Sequence, residues 1–241
     1  MSEVDLIEEY RTRHVAILKP LAGKLTALIQ DMVSGTPRVD RVAARAKSPE
    51  RFLGKTKKKK DDGQLKYEHP FEQIQDLIGA RVIVFYKQDV DAVCEIVERY
   101  FRHVEAKVLA PDAADKFGYV GMHYILAIPE DVIADDADRE KTPQFFELQI
   151  KTLFQHAWSE AEHDVGYKPS DIISTHQQRQ LAYTAAQAWG ADHILLSFIT
   201  NLTVQTPMWA NSENDTNHQR RLKWQPNRQS YRCTSMGQGF F

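Results

Sequence analysis

The chain has 241 residues, and its hydrophobic share of 42% is ordinary for a globular protein. Its 31 basic and 33 acidic residues give a formal net charge of −2, which excludes a generic binder of polyanions. No apolar run approaches the roughly 20 residues that span a bilayer, and no signal peptide follows the acidic N-terminus. Two cysteines are too few for a disulfide framework, so we expect a cytoplasmic protein without a membrane partner.

The first predicted element is a helix over residues 4–33, whose apolar residues recur at helical spacing and which Pro20 disturbs. A short strand over residues 39–46 follows. Ser48 and Pro49 then predict the start of a second helix, because proline is favoured in the first helical turn. This helix fails in the lysine-rich run that ends at residue 60.

A short helix is predicted over residues 70–77, with Gly79 as its C-terminal cap and Asp76 near its end. An anion is disfavoured there by the helix dipole, and a nearby cation would remove that penalty. From the position alone, Asp76 is either a solvent-facing carboxylate or a ligand of a cation.

The second half alternates strands and helices, which indicates an α+β fold: a mixed sheet of about five strands flanked by helices. The predicted strands are residues 80–86, 104–109, 123–128 and 145–152. The predicted helices are residues 89–101, 153–167 and 171–203. Four segments follow from this pattern: an N-terminal helical segment (1–37), a core (38–170), a C-terminal helix packing on the core (171–205) and a flexible polar tail (206–241).

The strand predicted over residues 145–152 separates apolar from polar side chains. Because side chains alternate between faces along a strand, Glu147, Gln149 and Lys151 share one face and apolar residues the other. An acid, an amide and a base in a row suit the wall of a polar cleft. Periodicity alone favours an ordinary amphipathic strand with a solvated outer face over the wall of a cleft.

The pattern of the following helix favours the interpretation that this strand lines a cleft. His156, Glu160, His163 and Tyr167 are spaced at i, i+4, i+7 and i+11, so they stack on one helix face rich in titratable groups. The order His-x-x-x-Glu-x-x-His differs from the His-Glu-x-x-His zinc signature, which argues against a metalloprotease.

Four motifs in order resemble the synthetase domain of RelA/SpoT-type alarmone synthetases. They are a basic segment over residues 45–55, the run Asp-Leu-Ile-Gly-Ala-Arg over 76–81, the run Gly-Tyr-x-x-x-His-Tyr over 118–124 and the run Glu-x-Gln-Ile-Lys-Thr over 147–152. The resemblance covers roughly residues 40–170. It implies a nucleotidyltransferase-like fold and, since 241 residues leave no room for a long hydrolase domain, a stand-alone small synthetase.

The resemblance also implies a reaction, namely Mg²⁺-dependent transfer of pyrophosphate from ATP to the ribose 3′-hydroxyl of GDP or GTP, which makes (p)ppGpp. Asp76 and Glu147 would be the catalytic and Mg²⁺-binding carboxylates, and Glu147 could equally accept the proton of the attacking hydroxyl. For such a transfer the protein mainly has to align the two substrates and neutralise the phosphate charge.

The remaining site residues implied by the resemblance fall into two groups. The residues expected to bind ATP are Arg45, Lys47, Lys55 and Arg81. Tyr119 is expected to stack on the acceptor base. The other residues expected around the acceptor are Lys116, His123, Gln149, Lys151, His156 and His163. Arg51 and Lys151 depart from the family pattern, where many relatives carry serine and arginine respectively.

Two rival functions stay open at the level of sequence. Some small relatives are toxins that modify the tRNA 3′ end or adenine nucleotides, and the basic stretch over residues 38–60 would suit an RNA acceptor. A degenerate synthetase fold that only binds a nucleotide or a partner protein is the non-enzymatic alternative. The partners expected are therefore ATP and GDP or GTP, with tRNA, a second copy of the chain or an antitoxin protein left open.

Overall fold

A five-stranded mixed sheet with the strand order β1-β2-β5-β4-β3 forms the centre of the fold, as the sequence predicts. The computed structural model describes residues 2–113, 116–118, 120–166 and 174–205. The strands are β1 (Val39–Ala46), β2 (Ile78–Val84), β3 (His103–Leu109), β4 (Gly121–Ala127) and β5 (Phe145–Thr152). The helices are α1 (Glu3–Arg13), α2 (Lys19–Met32), α3 (Pro49–Thr56), α4 (Pro70–Gln73), α5 (Lys87–Tyr100), α6 (Leu153–Gly166) and α7 (Thr175–Gln205).

The strand β5 lies at the middle of the sheet and separates its two modes of pairing. It pairs in parallel with β2, whereas the pairs β1–β2, β4–β5 and β3–β4 are antiparallel. Residues 147–150 of β5 therefore have a cross-strand neighbour on both sides, which fixes the register of Glu147 and Gln149 against the side chains of β2 and β4.

One face of the sheet is the hydrophobic core. Phe146, Leu148 and Ile150 of β5 are each 0% exposed, as the alternation predicts, and α2 and α5 pack over this side. Burying side chains of this size contributes about 1.5–3 kcal/mol each. A change of register by one residue would place this apolar row in solvent, so the core also fixes which side chains of β5 face away from it.

The N-terminal helix predicted over residues 4–33 is interrupted by one turn. Residues His14–Leu18 form a π-helical turn between α1 and α2, immediately before Pro20. Proline has no N–H to donate to the carbonyl four residues back, and its ring crowds that carbonyl. The wider π-helical turn accommodates both effects without ending the helix.

The helix predicted over residues 70–77 is wrong beyond its first turn. The helix α4 ends at Gln73, Ile74 is extended, and Gly79 is a residue of β2 and caps no helix. Lys47 N–H donates to the Leu77 carbonyl at 2.8 Å, and Ala46 pairs with Ile78. These long-range hydrogen bonds draw the segment into the sheet, so Asp76 lies in the turn that leads into β2 and not at a helix end.

The helices predicted over residues 153–167 and 171–203 are present as α6 and α7 within the described residues. The side chain of Thr152 caps α6 by accepting from Gln155 N–H at 3.1 Å, and its hydroxyl donates to Asp192 of α7 at 2.8 Å. Trp158 Nε1 also donates to the Leu181 carbonyl at 3.2 Å. Tyr167 and the tail over residues 206–241 lie outside the described residues. Within the described ranges, none of the helices combines the length and apolar character that a membrane crossing requires.

Candidate active site

The polar face of the sheet forms the floor of a cleft of about 600 Å³. Across neighbouring strands, Arg45 lies opposite Gly79, Gly79 opposite Glu147, Arg81 opposite Gln149, and Gln149 opposite His123. Four strands thus bring polar side chains from distant parts of the sequence to one surface. This decides between the two interpretations of the β5 pattern, because its polar face lines a cleft.

Asp76 is held between two lysines at the edge of this cleft. Its Oδ2 atom lies 3.0 Å from Lys47 Nζ and 2.8 Å from Lys55 Nζ. Burial opposes ionisation of Asp76, but the two ammonium groups outweigh it and hold the pKa of this carboxyl below its ordinary value. Asp76 is therefore an anion at neutral pH.

The second oxygen of Asp76 makes the carboxylate suitable as a metal ligand. Oδ1 is buried and has no hydrogen-bond partner among the described residues. A buried oxygen without a partner costs about 1–3 kcal/mol, and a cation would remove that cost. Mg²⁺ prefers oxygen ligands and is commonly bound by one or two carboxylates together with substrate phosphates. The chemistry of the residues present therefore fits Mg²⁺, which Asp76 and Glu147 would hold.

Glu147 is oriented by its neighbours on β4 and β5. His123 Nδ1 lies 3.0 Å from Glu147 Oε1, and Gln149 Nε2 donates to Oε2 at 2.8 Å. Burial raises the pKa of Glu147, but the hydrogen bond from His123 and the other favourable contacts outweigh it, so the net shift is downward. Because an ionised carboxylate only accepts hydrogen bonds, Nδ1 of His123 carries the proton.

Cations also line the cleft. Burial and the neighbouring Arg81 lower the pKa of Lys151 to about 8, although Glu160 and Glu147 act in the other direction. Burial, Arg81 and Arg51 likewise lower the pKa of Arg45. Crowding of cations that disfavour one another indicates a site suited to a ligand with several negative charges.

The helix α6 supplies the wall beside these cations. Arg81 Nη1 binds Glu160 Oε1 at 2.8 Å, and Lys151 Nζ donates to Ser159 Oγ at 3.3 Å. His156 Nδ1 lies 4.0 Å from Glu160. Burial and then Arg81 lower the pKa of His156, so this ring is neutral at neutral pH.

The structure brings most of the predicted site residues into the cleft. The predicted residues that line it are Arg45, Lys47, Asp76, Arg81, His123, Glu147, Gln149, Lys151 and His163. Lys55 reaches the same site through Asp76, and His156 lies behind the lining, next to Glu160. Lys116 is exposed and is not among the lining residues of the described chain. Tyr119 lies outside the described residues.

Some lining residues were not among the predicted site residues. The polar ones among them are Ser48, Arg51, Ser159, Glu160 and Glu162. Glu160 shares the predicted face of α6 with His163, so the helical period was a signal for it. Ser48 was interpreted only as a helix start, and its Oγ does accept from Arg51 N–H at 3.3 Å.

Comparison with known proteins gives a family match and a shared fold. A family model described as the region found in RelA / SpoT proteins matches residues 44–172, more than half of the chain. No curated protein sequence matches.

Among solved structures, a GTP pyrophosphokinase family protein from Streptococcus pneumoniae is similar with a TM-score of 0.63 and 20% identity, over 81% of this chain and 93% of that chain. The small alarmone synthetase 1 from Bacillus subtilis bound to its product pppGpp gives a TM-score of 0.59 and 21% identity, over 80% and 93%. The same Bacillus subtilis enzyme bound to AMPCPP gives 0.58 and 18%, over 76% and 94%.

Identities this low establish a common fold, and the family match covers the strands and turns that form the cleft, from Ala44 in β1 to Thr152 in β5 and on through α6. The chain therefore belongs to the RelA/SpoT family of pyrophosphokinase-type transferases.

Proposed function

We propose that the protein transfers pyrophosphate from ATP to the ribose 3′-hydroxyl of GDP or GTP and so makes (p)ppGpp in a Mg²⁺-dependent reaction. One observation carries the proposal. Two ionised carboxylates, Asp76 and Glu147, lie within electrostatic range of each other in a cleft that is also lined by several lysines and arginines. This combination suits a metal-bound polyphosphate.

The donor side is formed by the turn after β1, by α3 and by β2. In this proposal Lys47 and Lys55 exchange part of their contact with Asp76 for the ATP phosphates, and Arg45 and Arg81 bind from the sheet. A guanidinium also offers a flat surface on which a base can stack. The paired lysines therefore have two functions: they hold Asp76 ionised before ATP binds and neutralise phosphate charge afterwards.

The acceptor side is formed by β4, β5 and α6. His123, Gln149 and Lys151 surround the acceptor's ribose and phosphates, and His163 contributes from α6. Lys151 supplies its full positive charge only below a pH of about 8, which ties acceptor binding to pH. Tyr119 stays a predicted contact of the acceptor base.

Glu147 is suited to accept the proton of the attacking hydroxyl. Its two oxygens offer about four lone-pair positions, of which His123 and Gln149 use two. As the 3′-oxygen bonds to the β-phosphorus of ATP, the hydroxyl proton passes to the carboxylate, and the bond from that phosphorus to the oxygen bridging the α-phosphate breaks. AMP leaves with that oxygen. When bound, Mg²⁺ would neutralise phosphate charge and favour the developing transition state.

Two of the similar structures support this proposal by what they contain. The Bacillus subtilis small alarmone synthetase 1 is bound to pppGpp in one and to AMPCPP in the other. An acceptor and a donor analogue of these kinds would suit the two sides of the cleft described above. The cytoplasmic setting expected from the sequence is part of the same proposal.

The test is a labelling experiment with several acceptors. The purified chain is incubated with Mg²⁺, γ-labelled ATP and GDP, GTP, ATP or bulk tRNA in parallel, and both label transfer and AMP release are measured. We expect label on GDP or GTP with one AMP per transfer. Label on tRNA or ATP alone would show that the acceptor differs from the proposed one, while the assignment of the catalytic residues would stand. The absence of label and AMP from all four reactions of a folded protein would support the non-enzymatic alternative.

Two variants make the test specific. Glu147→Gln should abolish transfer. Glu98→Gln is the control, because Glu98 is also a carboxylate that accepts a hydrogen bond from another side chain, Tyr124 at 2.9 Å, but it is exposed and lies on α5, outside the lining of the cleft. If both variants lost activity equally, the role of Glu147 in the reaction would be refuted.

A further inference from the structure

We infer that Tyr10 of the N-terminal helix is a positioning residue for the donor side of the active site and acts by holding the backbone of Lys47. The inference rests on the proposed function. It extends the site to α1, which lies outside the segment matched by the family model.

The geometry of Tyr10 links α1 to the donor segment. Its side chain is 0% exposed, and its hydroxyl donates to the Lys47 carbonyl oxygen at 2.7 Å. The ring of Tyr10 stacks on Phe52 of α3 with the centroids 3.8 Å apart and the planes 7° from parallel. Phe52 in turn packs against Phe71 of α4. The hydroxyl is thus fixed by a ring that cannot rotate away.

The peptide of Lys47 is held from both ends. While its carbonyl accepts from Tyr10, its N–H donates to the carbonyl of Leu77, the residue after Asp76. Lys47 and Ser48 are the only residues between β1 and α3. The backbone that carries the Lys47 ammonium group is therefore clamped between α1 and the turn that carries Asp76.

This clamp sets the distance between two groups that the reaction needs. Lys47 Nζ lies 3.0 Å from Asp76 Oδ2. A misplacement of about 1 Å in a reacting or binding group can cost about a hundredfold in rate. Because the clamp acts on the backbone of Lys47, its loss would shift the ammonium group relative to Asp76 and to the ATP phosphates without removing either charge.

Electrostatics agree with this placement. Burial first, and then the negative charge of Asp76, raise the pKa of the Tyr10 hydroxyl above its ordinary range. The hydroxyl thus stays protonated and can donate over the whole working pH range.

A purely structural role is the alternative, because buried tyrosine hydroxyls usually have a hydrogen-bond partner. The chain contains a matched control for it. Tyr124 is also 0% exposed and also donates one hydrogen bond, but to Glu98 on α5 from the core face of β4. Both Tyr10→Phe and Tyr124→Phe remove one oxygen and keep the ring.

The experiment compares these two variants with the wild-type chain. Thermal melting measures stability, steady-state kinetics give KM for ATP and for the acceptor, and a Mg²⁺ titration gives its half-saturating concentration. Calorimetric binding of a non-hydrolysable ATP analogue with Mg²⁺ measures the donor site without an acceptor. The wild-type labelling reaction is carried out first, so that a failure of the proposed function is recognised separately.

We expect both variants to lose stability to a similar extent. Tyr10→Phe alone should raise KM for ATP and weaken binding of the analogue by about five- to thirtyfold, the range that one ordinary contact covers. Its KM for the acceptor should stay within about twofold of the wild type, as uncoupled sites would give. Tyr124→Phe should leave all binding parameters unchanged.

Two results would overturn the inference. One is an unchanged ATP affinity in Tyr10→Phe, and the other is an equal change in both variants, which would make the effect one of stability. If the wild-type chain transfers no label, calorimetric binding of the ATP analogue to the two variants still tests the role of Tyr10. A wild-type chain that binds no ATP analogue would also refute the inference.

Discussion

The substitution Asp76→Asn separates the charge of the proposed metal ligand from its shape. The amide is nearly isosteric with the carboxylate, so packing in the turn before β2 is retained. Lys47 and Lys55, which lie 3.0 and 2.8 Å from Oδ2, lose the anion that they share. The substitution also removes the negative charge at the buried Oδ1, where Mg²⁺ is expected.

The expected loss of activity follows from the metal ligand. Charge stabilisation by a bound metal contributes several kcal/mol to the transition state, and each 1.36 kcal/mol is a factor of ten in rate. Losing about 3–4 kcal/mol would slow transfer by about 10²–10³-fold. Excess Mg²⁺ should not restore the rate, because the ligand itself is altered.

The expected loss of stability is smaller and depends on pH. The side chains of Asp76, Lys47 and Lys55 are 17–24% exposed, so solvent partly screens their ion pairs. The loss in free energy of unfolding should therefore be about 1–2 kcal/mol, which is below the roughly 3–5 kcal/mol that breaking a fully buried pair costs. The folded-state pKa of Asp76 is lowered, so its contribution is fully present above the ordinary value of 3.8. It is lost as the pH falls below that value toward the folded-state pKa.

The assay measures label transfer over a range of Mg²⁺ concentrations, together with urea unfolding at pH 7 and at acid pH. Asp89→Asn is the control, because Asp89 is buried and bound by Arg38 at 2.6 Å but does not line the cleft. It should lose stability and keep its Mg²⁺ dependence. Transfer by Asp76→Asn near the wild-type rate at saturating Mg²⁺ would refute the metal assignment.

Three further predictions concern the acceptor. Tyr119→Ala should raise KM for the acceptor far more than KM for ATP, because stacking on a base contributes about 1–3 kcal/mol, and equal changes in steady-state kinetics would exclude this role. The pH profile of kcat/KM for the acceptor should fall above about pH 8 as Lys151 loses its proton, and Lys151→Arg should extend the profile to higher pH; an unmoved alkaline limb would contradict this. Neutralising Lys57–Lys60 together should change KM for GDP or GTP only modestly, whereas a tRNA acceptor would show binding whose salt slope falls by about 0.7–0.9 per lost phosphate contact.

The polar face of β5 could be predicted from local sequence because its cause is local. Side chains of a strand alternate in direction whatever the strand pairs with, so Glu147, Gln149 and Lys151 had to share a face. The core face was fixed by the same rule, and Phe146, Leu148 and Ile150 are buried accordingly. The face of α6 followed in the same way from the helical period, as far as His163.

The surroundings of Asp76 could not be predicted in this way. The local pattern over residues 70–79 favoured a helix with a glycine cap, but hydrogen bonds from β1, more than 30 residues earlier, draw the segment into β2. Only that pairing brings Lys47 next to Asp76. The helix-dipole argument for a cation near Asp76 does not apply, because Asp76 lies in a turn; the cations that contact it are Lys47, which precedes α3, and Lys55 of α3.

The sequence by itself thus determined the family motifs, the α+β class and which side chains of β5 face away from the core, because each depends on residues a few positions apart. Only the tertiary structure shows that Asp76 forms ion pairs with both Lys47 and Lys55, that His123 orients Glu147, and that Tyr10 holds the Lys47 backbone. These contacts join residues 21 to 37 positions apart in sequence. No local sequence pattern predicts contacts between residues so far apart in the chain, because these contacts arise from strand pairing and from the packing of α1 and α3 on each other.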